Sequence, residues 1–219
     1  MKKKLIIFDM DGLLLDSEKI AIQCWEQVFI ENNIKFDRNK LKQLIGMGQA
    51  DANAFFEKEL KDPTAFKRLV KMKNEIYLNY RQNNSIDVKQ GIVELISTLK
   101  KHQVKIAVAT STSQEKASKL LKETNLYDLF DYHIFGDMVE NSKPNPEIFL
   151  NVIQYFKVSQ EETLVLEDSF YGVKAANNGN IDVIWIKDMV DIDQRGDVNY
   201  LYKFDNAYQA INTINNMIE

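Results

Sequence analysis

Three short apolar runs in this chain stop abruptly on polar residues. Residues 5–8 (Leu-Ile-Ile-Phe) run into Asp9-Met10-Asp11-Gly12, residues 104–109 into Thr110-Ser111-Thr112, and residues 163–166 into Glu167-Asp168-Ser169. A continuous apolar run of that length is the pattern of a strand buried on both faces, which is the lot of a parallel strand covered by helices. A similar run lies at 181–186, a weaker one at 132–135, and a last short candidate at 199–204. Segments of helical period separate them, at 92–102, 115–124, 146–156, 172–179 and 207–218. Strands alternating with helices in this way predict an α/β fold with right-handed crossovers.

Residues 17–84 break the rhythm. They are rich in helix formers with amphipathic spacing (Ile20, Trp25, Val28, Phe29, then Phe66, Val70, Ile76, Tyr80) and contain no convincing strand. The simplest account is a Rossmann-like, mostly parallel sheet core, residues 1–16 and 85–219, with an all-α helical cap, residues 17–84, inserted after the first strand. The two crossings, near 13–17 and 83–89, are expected to lie together, as hinges must.

Composition excludes several classes of function. The 219 residues carry a net charge of −4, which argues against a nucleic-acid partner. Cys24 is the single cysteine, so neither an intrachain disulfide nor a cysteine metal cluster can form, and a reducing compartment is favoured. The Lys-rich start resembles a signal n-region, but its apolar run is broken by Asp9 and Asp11 and no small-residue cleavage site follows. No stretch reaches the roughly 18 uninterrupted apolar residues of a membrane span. The expectation is a cytoplasmic monomer.

Asp9 and Asp11 stand where open α/β sheets place their sites, at the C-terminal strand edge. One carboxylate can attack phosphorus to give an acyl-phosphate. The other, kept protonated, can donate to the leaving oxygen and then deprotonate water. A plain strand-ending turn would look the same. Thr110 and Ser111 offer a hydroxyl and backbone N–H groups for phosphate oxygens; Ser113 before Gln114 and Glu115 also fits a helix N-cap, and both readings can hold at once. Lys143, set between Ser142 and Pro144-Asn145-Pro146, could neutralise phosphoryl oxygens and restrain a carboxylate, or be a solvated lysine. Glu167 and Asp168 would lie beside Asp9, where carboxylates repel unless a cation separates them. Mg²⁺, with its preference for hard oxygens and retained waters, suits that position, although an exposed acidic turn remains open. His102 and His133 read as structural, Trp25 and Trp185 as core.

Taken together, Phe-Asp-Met-Asp-Gly at 8–12, Ala-Thr-Ser-Thr at 109–112, Ser-Lys-Pro-Asn-Pro-Glu-Ile-Phe at 142–149 and Leu-Glu-Asp-Ser at 166–169 closely resemble the haloacid dehalogenase superfamily of phosphotransferases. The group with a helical cap after the first strand, which includes β-phosphoglucomutases and sugar-phosphate phosphatases, is the best match. The resemblance implies Asp9 as nucleophile, Asp11 as general acid/base, and Thr110 and Lys143 gripping the phosphoryl group. It implies Mg²⁺ held by Asp9, the Asp11 carbonyl and Asp168, with Glu167 directly or one layer out. The pair Asp9/Asp11 argues against dehalogenation, which has no alkoxide to protonate.

In the cap the mutases resemble this chain at Ser17 and around Lys73, but they carry a histidine where it has Ala21 and an arginine where it offers Gln49. Glutamine cannot replace a bidentate guanidinium on a distal phosphate. These departures favour an Mg²⁺-dependent phosphatase acting on small phosphorylated carbohydrates or polyols, with Ser17, Gln49 and Lys73 as candidate substrate contacts. A β-phosphoglucomutase-like mutase is the alternative, and a non-catalytic binding module the rival of another class.

Overall fold

The computed structural model describes residues 1–42, 45, 49–60, 64–194 and 196–219, with the side chains of residues 38, 39, 49–51, 65 and 194 outside that description. Six strands form one sheet: β1 (Leu5–Phe8), β2 (Lys105–Ala109), β3 (Tyr132–Ile134), β4 (Thr163–Glu167), β5 (Asp182–Ile186) and β6 (Tyr202–Phe204). Their order is β3-β2-β1-β4-β5-β6 and every pairing is parallel, so the sheet is stricter than "mostly parallel". Strand order reverses between β1 and β4, and that reversal opens a crevice beyond their C-terminal ends.

The unbroken apolar runs have a simple cause. Leu5, Ile6, Ile7 and Phe8 are all 0% exposed. Ile6 and Phe8 point into one core with Ile106, Val108, Leu164 and Leu166, whereas Leu5 and Ile7 point into another with Ala107, Ala109 and Val165. The alternation of period two is present, but both faces are dry. Each such side chain contributes about 1.5–3 kcal/mol by leaving water.

Among the described residues four α-helices follow β1: α1 (Ser17–Glu31), α2 (Arg38–Leu41), α3 (Gln49–Leu60) and α4 (Ala65–Asn83). Five more interleave with the later strands: α5 (Ile92–Lys101), α6 (Gln114–Glu123), α7 (Glu147–Phe156), α8 (Phe170–Asn178) and α9 (Ala207–Ile218). In α5, Ile92, Leu95, Ile96 and Leu99 form an i, i+3, i+4, i+7 stripe that is fully buried, as amphipathic spacing requires. Helices α5, α6 and α9 cover one face of the sheet, α7 and α8 the other.

Helices α1–α4 build a third apolar cluster around Trp25, Phe29, Phe56, Phe66 and Leu69, with Trp25 and Phe56 rings 4.8 Å apart. Helix α1 serves two masters, since its Ile20 and Cys24 belong to the sheet core. Trp25 therefore lies in a core, as does Trp185 of β5. The chain passes into and out of this helical segment through paired backbone. Asp16 N–H donates to the Asp87 carbonyl at 2.9 Å, Lys89 N–H donates to that of Leu14 at 2.9 Å, and Leu15 forms an antiparallel bridge with Val88. Among the described residues no helix is long and apolar enough to cross a membrane.

Candidate active site

Three adjacent strands deliver the polar ends of their runs to one crevice. Asp9 follows β1, Thr110 follows β2, and Glu167 closes β4 with Asp168 after it. Lys143 comes from the loop before α7, yet its side chain is only 2% exposed. Its ammonium donates to Asp9 Oδ1 at 2.6 Å, Glu167 Oε1 at 2.6 Å and the Ala109 carbonyl at 3.1 Å. An ammonium buried this deeply persists only when paired and fully hydrogen-bonded. Burial alone would lower its pKa, but Asp9 and Glu167 hold it well above the usual lysine range.

The loop that delivers Lys143 is tied by Glu147. That carboxylate accepts from the backbone N–H groups of Glu140 (2.8 Å) and Asn141 (3.0 Å) and from the Asn141 amide (2.8 Å). These bonds hold the exposed Glu147 carboxyl below its usual range, the Glu140 N–H first among them.

Glu167 and Asp168 differ sharply although adjacent. Glu167 is saturated: Oε2 accepts from the N–H of Asp168 (3.1 Å), the N–H of Ser169 (3.1 Å) and the Ser169 hydroxyl (3.0 Å), while Oε1 takes Lys143. Gly172 makes room for it, since a Cβ there would fall 1.8 Å from Glu167 Oε1. Asp168, 2% exposed, has no partner for either carboxylate oxygen among the described residues. Its backbone is fixed instead, because the Trp185 indole N–H donates to the Asp168 carbonyl at 3.0 Å.

Asp9, Glu167 and Asp168 each offer an oxygen within 4.8 Å of the others. Three buried carboxylates thus face the single charge of Lys143. Burial pushes the Asp9 carboxyl up to about 8; Lys143 opposes the rise, while Glu167 and Asp11 add to it. Burial, then Glu167 and Asp9, likewise hold Asp168 well above the carboxylate range. The donor set fits a hard divalent cation. It is all oxygen, it carries excess negative charge, and Asp168 has two carboxylate oxygens with no partner among the described residues. A cation there would reverse the pKa logic and keep the carboxylates ionised. Glu167, already saturated, is better placed to hold Lys143 than to bind the cation itself.

Asp11 lies outside that cluster and is held by hydroxyls. Ser17 donates to Oδ1 at 2.6 Å, and Thr112 and Thr110 donate to Oδ2 at 2.7 and 3.3 Å. Gly12, at φ +87°, turns the chain away; a Cβ there would lie 2.2 Å from Asp168 Oδ2. Ser17, expected at the substrate, is buried and donates to Asp11. The Ser111 side chain is exposed, and the hydroxyls that reach Asp11 from this turn are those of Thr110 and Thr112. Ser113 occupies the N-cap position of α6 but its hydroxyl makes no cap; Asp137 accepts from the Gln114 N–H at 2.9 Å in its place.

Lys73 of α4 is half-buried, and burial holds its ammonium below the usual range, with Glu18 and Asp11 among the charges pulling the other way. Glu18, in the first turn of α1, is pushed up to about 8 by burial and then by Asp11, Asp188 and Asp9, with Lys73 opposing. Gln49 opens α3, but its side chain lies outside the described residues, as do residues 46–48 entirely. His133 stacks on Tyr127 at 4.2 Å, and burial holds its imidazole below the usual range. His102 is the C-cap residue of α5.

The contacts of Thr112, Glu147 and Trp185 were not foreseen from the sequence: Thr112 stands in the turn with Thr110, Glu147 binds groups of the loop just before it, and the Trp185 indole reaches the Asp168 carbonyl from the neighbouring strand. Glu18 and Asp188 add carboxyls to the same electrostatic neighbourhood.

The family model of the haloacid dehalogenase-like hydrolases matches residues 6–186. The chain is 31% identical over 184 residues to the phosphorylated carbohydrates phosphatase of Thermotoga maritima, covering 82% of this chain and 83% of that protein. It is 27% identical over 191 residues to β-phosphoglucomutase of Bacillus subtilis, covering 84% and 83%. Among solved structures, a hydrolase from Pseudomonas syringae aligns over 100% of both chains with a TM-score of 0.84 at 23% identity, a likeness of fold.

Proposed function

Because the chain belongs to the haloacid dehalogenase-like hydrolase family, we propose that it hydrolyses phosphomonoesters of small carbohydrates or polyols through phosphorylation of Asp9. The observation that carries this reading is the division of labour between two aspartates two residues apart. Asp9 is buried and clamped by a lysine, with the metal-type cluster beside it. Asp11 is held apart by hydroxyls.

In the first step an oxygen of Asp9 forms a bond to phosphorus as the ester P–O bond breaks. Lys143 fixes the carboxylate through Oδ1, so its orientation is set before substrate arrives. Asp11 gives its proton to the departing alkoxide. In the second step Asp11 takes a proton from a water molecule, whose oxygen attacks the same phosphorus; inorganic phosphate leaves and the Asp9 carboxylate is restored. The hydroxyls of Ser17 and Thr112 suit a group that changes protonation, because a hydroxyl can rotate from donor to acceptor. Bound Mg²⁺, which Asp9, Asp168 and the Asp11 carbonyl would hold, supplies the positive charge that lets an anionic nucleophile meet an anionic phosphate. Thr110, 1% exposed at the β2 edge, and Lys143 are the residues that would contact the transferred group.

The substrate class rests on two supports. The Thermotoga maritima relative is named for phosphorylated carbohydrates. Ala21 and Gln49 stand where a mutase needs a histidine and an arginine. Residues 17–84 act as the selecting cap, with Lys73 and Glu18, both within electrostatic reach of Asp11, offering a charged and a protonatable group. Phosphate release across sugar, polyol and nucleotide monophosphates, with and without added sugar bisphosphate, tests the reading. Hydrolysis of sugar or polyol phosphates that Asp9→Asn abolishes is expected. Undiminished hydrolysis by Asp9→Asn overturns the mechanism, and activity that needs the bisphosphate without net phosphate release identifies a mutase.

A further inference from the structure

Just past β5 a further carboxylate reaches the crevice. The side chain of Asp188 is 6% exposed, and its Oδ1 accepts from the Lys89 ammonium at 2.5 Å. Its Oδ2 is buried and has no partner among the described residues, like both carboxylate oxygens of Asp168. Gly12 shows where that oxygen points. A Cβ on Gly12 would lie 2.2 Å from Asp168 Oδ2 and 3.0 Å from Asp188 Oδ2, so the two orphaned oxygens converge on the same hydrogen-sized side chain. Two unpaired carboxylate oxygens in a dry space repel each other and forgo solvation, which is unfavourable unless something bridges them.

We propose that Asp188 is a fourth carboxylate of the cation site, accepting a hydrogen bond through Oδ2 from a water bound to the divalent cation. This rests on the reading of Asp9 and Asp168 as the residues that hold the cation. Direct ligation does not fit, because Asp188 is absent from the group of acidic residues whose oxygens all lie within 4.8 Å of one another. One water layer does: a magnesium–water bond followed by a hydrogen bond spans roughly 4–5 Å. Mg²⁺ gives up its waters reluctantly, so an acceptor placed for one of them strengthens binding without replacing it. Lys89 anchors the other oxygen of Asp188 and also lies 3.7 Å from Asp16, at the paired backbone that leads into the helical segment.

The test is Mg²⁺ binding to the purified full chain by titration calorimetry without substrate, for the wild type, Asp188→Asn, Lys89→Met and Asp168→Asn, each checked for folding by thermal melting in EDTA. Asp188→Asn weakens binding about tenfold. Lys89→Met, which removes a nearby positive charge but leaves the acceptor, binds within about twofold of the wild type or more tightly. Asp168→Asn loses binding. Should Asp188→Asn bind like the wild type while Asp168→Asn does not, or should Asp188→Asn and Lys89→Met weaken binding equally, Asp188 is an ion-pair partner and the proposal is overturned. Asp168→Asn binding like the wild type would instead sink the underlying cation site. Asp188→Ser, which leaves room for a water, is read by the same criteria if the asparagine variant does not fold.

Discussion

Lys143 and Asp9 are 134 residues apart in the chain, yet ammonium and carboxylate oxygen meet at 2.6 Å with both side chains nearly withdrawn from solvent. Asp9 therefore carries its own counter-ion, shared with Glu167. Lys143→Met should cost about 3–5 kcal/mol of stability, because it leaves Asp9 and Glu167 buried without compensation. Phosphate release should fall by a factor on the order of 10²–10³. Urea denaturation in EDTA and in Mg²⁺ checks the first figure, with Mg²⁺ expected to recover part of the loss. A variant as stable as the wild type in EDTA would mean that the pair is not the net stabiliser described.

Ser17→Ala removes the 2.6 Å bond to Asp11 Oδ1. If Asp11 protonates the leaving group, kcat on an alkyl phosphate should drop about tenfold, equivalent to about 1.4 kcal/mol. On an aryl phosphate, whose leaving group needs no proton, the drop should be smaller. Equal losses on both esters would show that Ser17 serves binding or folding and not the proton donor.

In metal-free protein Asp9 titrates near 8, against 3.8 for an unperturbed aspartate. The folded state then binds more protons than the unfolded state between those values, so metal-free stability should fall as pH rises toward 8. A cation must displace those protons. Mg²⁺ affinity should accordingly rise with pH while Asp9 and Asp168, both held above the carboxylate range, still carry protons, by on the order of tenfold per pH unit for each displaced proton. Calorimetry in buffers of different ionisation enthalpy should register proton release at pH 6.5 and less at pH 9. No buffer dependence at pH 6.5 would refute the raised pKa.

Gly12→Ala confronts two obstacles together, a φ of +87° and a Cβ 2.2 Å from Asp168 Oδ2. The backbone term alone should cost about 1–3 kcal/mol, and displacement of Asp168 should weaken Mg²⁺ binding. Gly196→Ala is the control: it too has positive φ, but among the described residues beyond its chain neighbours no atom lies within 4 Å of the added Cβ. It should show a backbone cost with unchanged Mg²⁺ affinity.

The strands were legible because burial on two faces writes itself as an unbroken apolar run, as at Leu5–Phe8, and helix α5 because its stripe repeats at helical spacing. Asp9, Asp11, Thr110, Glu167 and Asp168 could be singled out because polar residues interrupt apolar runs there, and Lys143 because prolines flank its turn; the fold brings all six to one crevice. What escaped depends on contacts made only in three dimensions. Nothing local in Trp185 says that its indole N–H will hold the Asp168 carbonyl, and nothing in Glu147 says that it will fasten the loop bearing Lys143. Ser113 looks like a helix cap, but Asp137 takes the Gln114 N–H because the turn after β3 brings a stronger acceptor alongside. Nothing in the residues around Ser17 says that its hydroxyl will bind the Asp11 carboxylate.

The place of β1 at the middle of the sheet has a consequence for how the protein comes into being. Its neighbours begin at residues 105 and 163, and helices α1–α4, with an apolar cluster largely their own, are made before either. At on the order of 5–20 residues per second of synthesis, Asp9 emerges early on a strand that has nothing to pair with. It waits for most of the chain's length. The helical segment can gather itself in that interval, but the crevice holding Asp9, Lys143 and Asp168 has no existence until β4 docks. For the growing chain, the first chemically decisive residue to appear is among the last to find its surroundings.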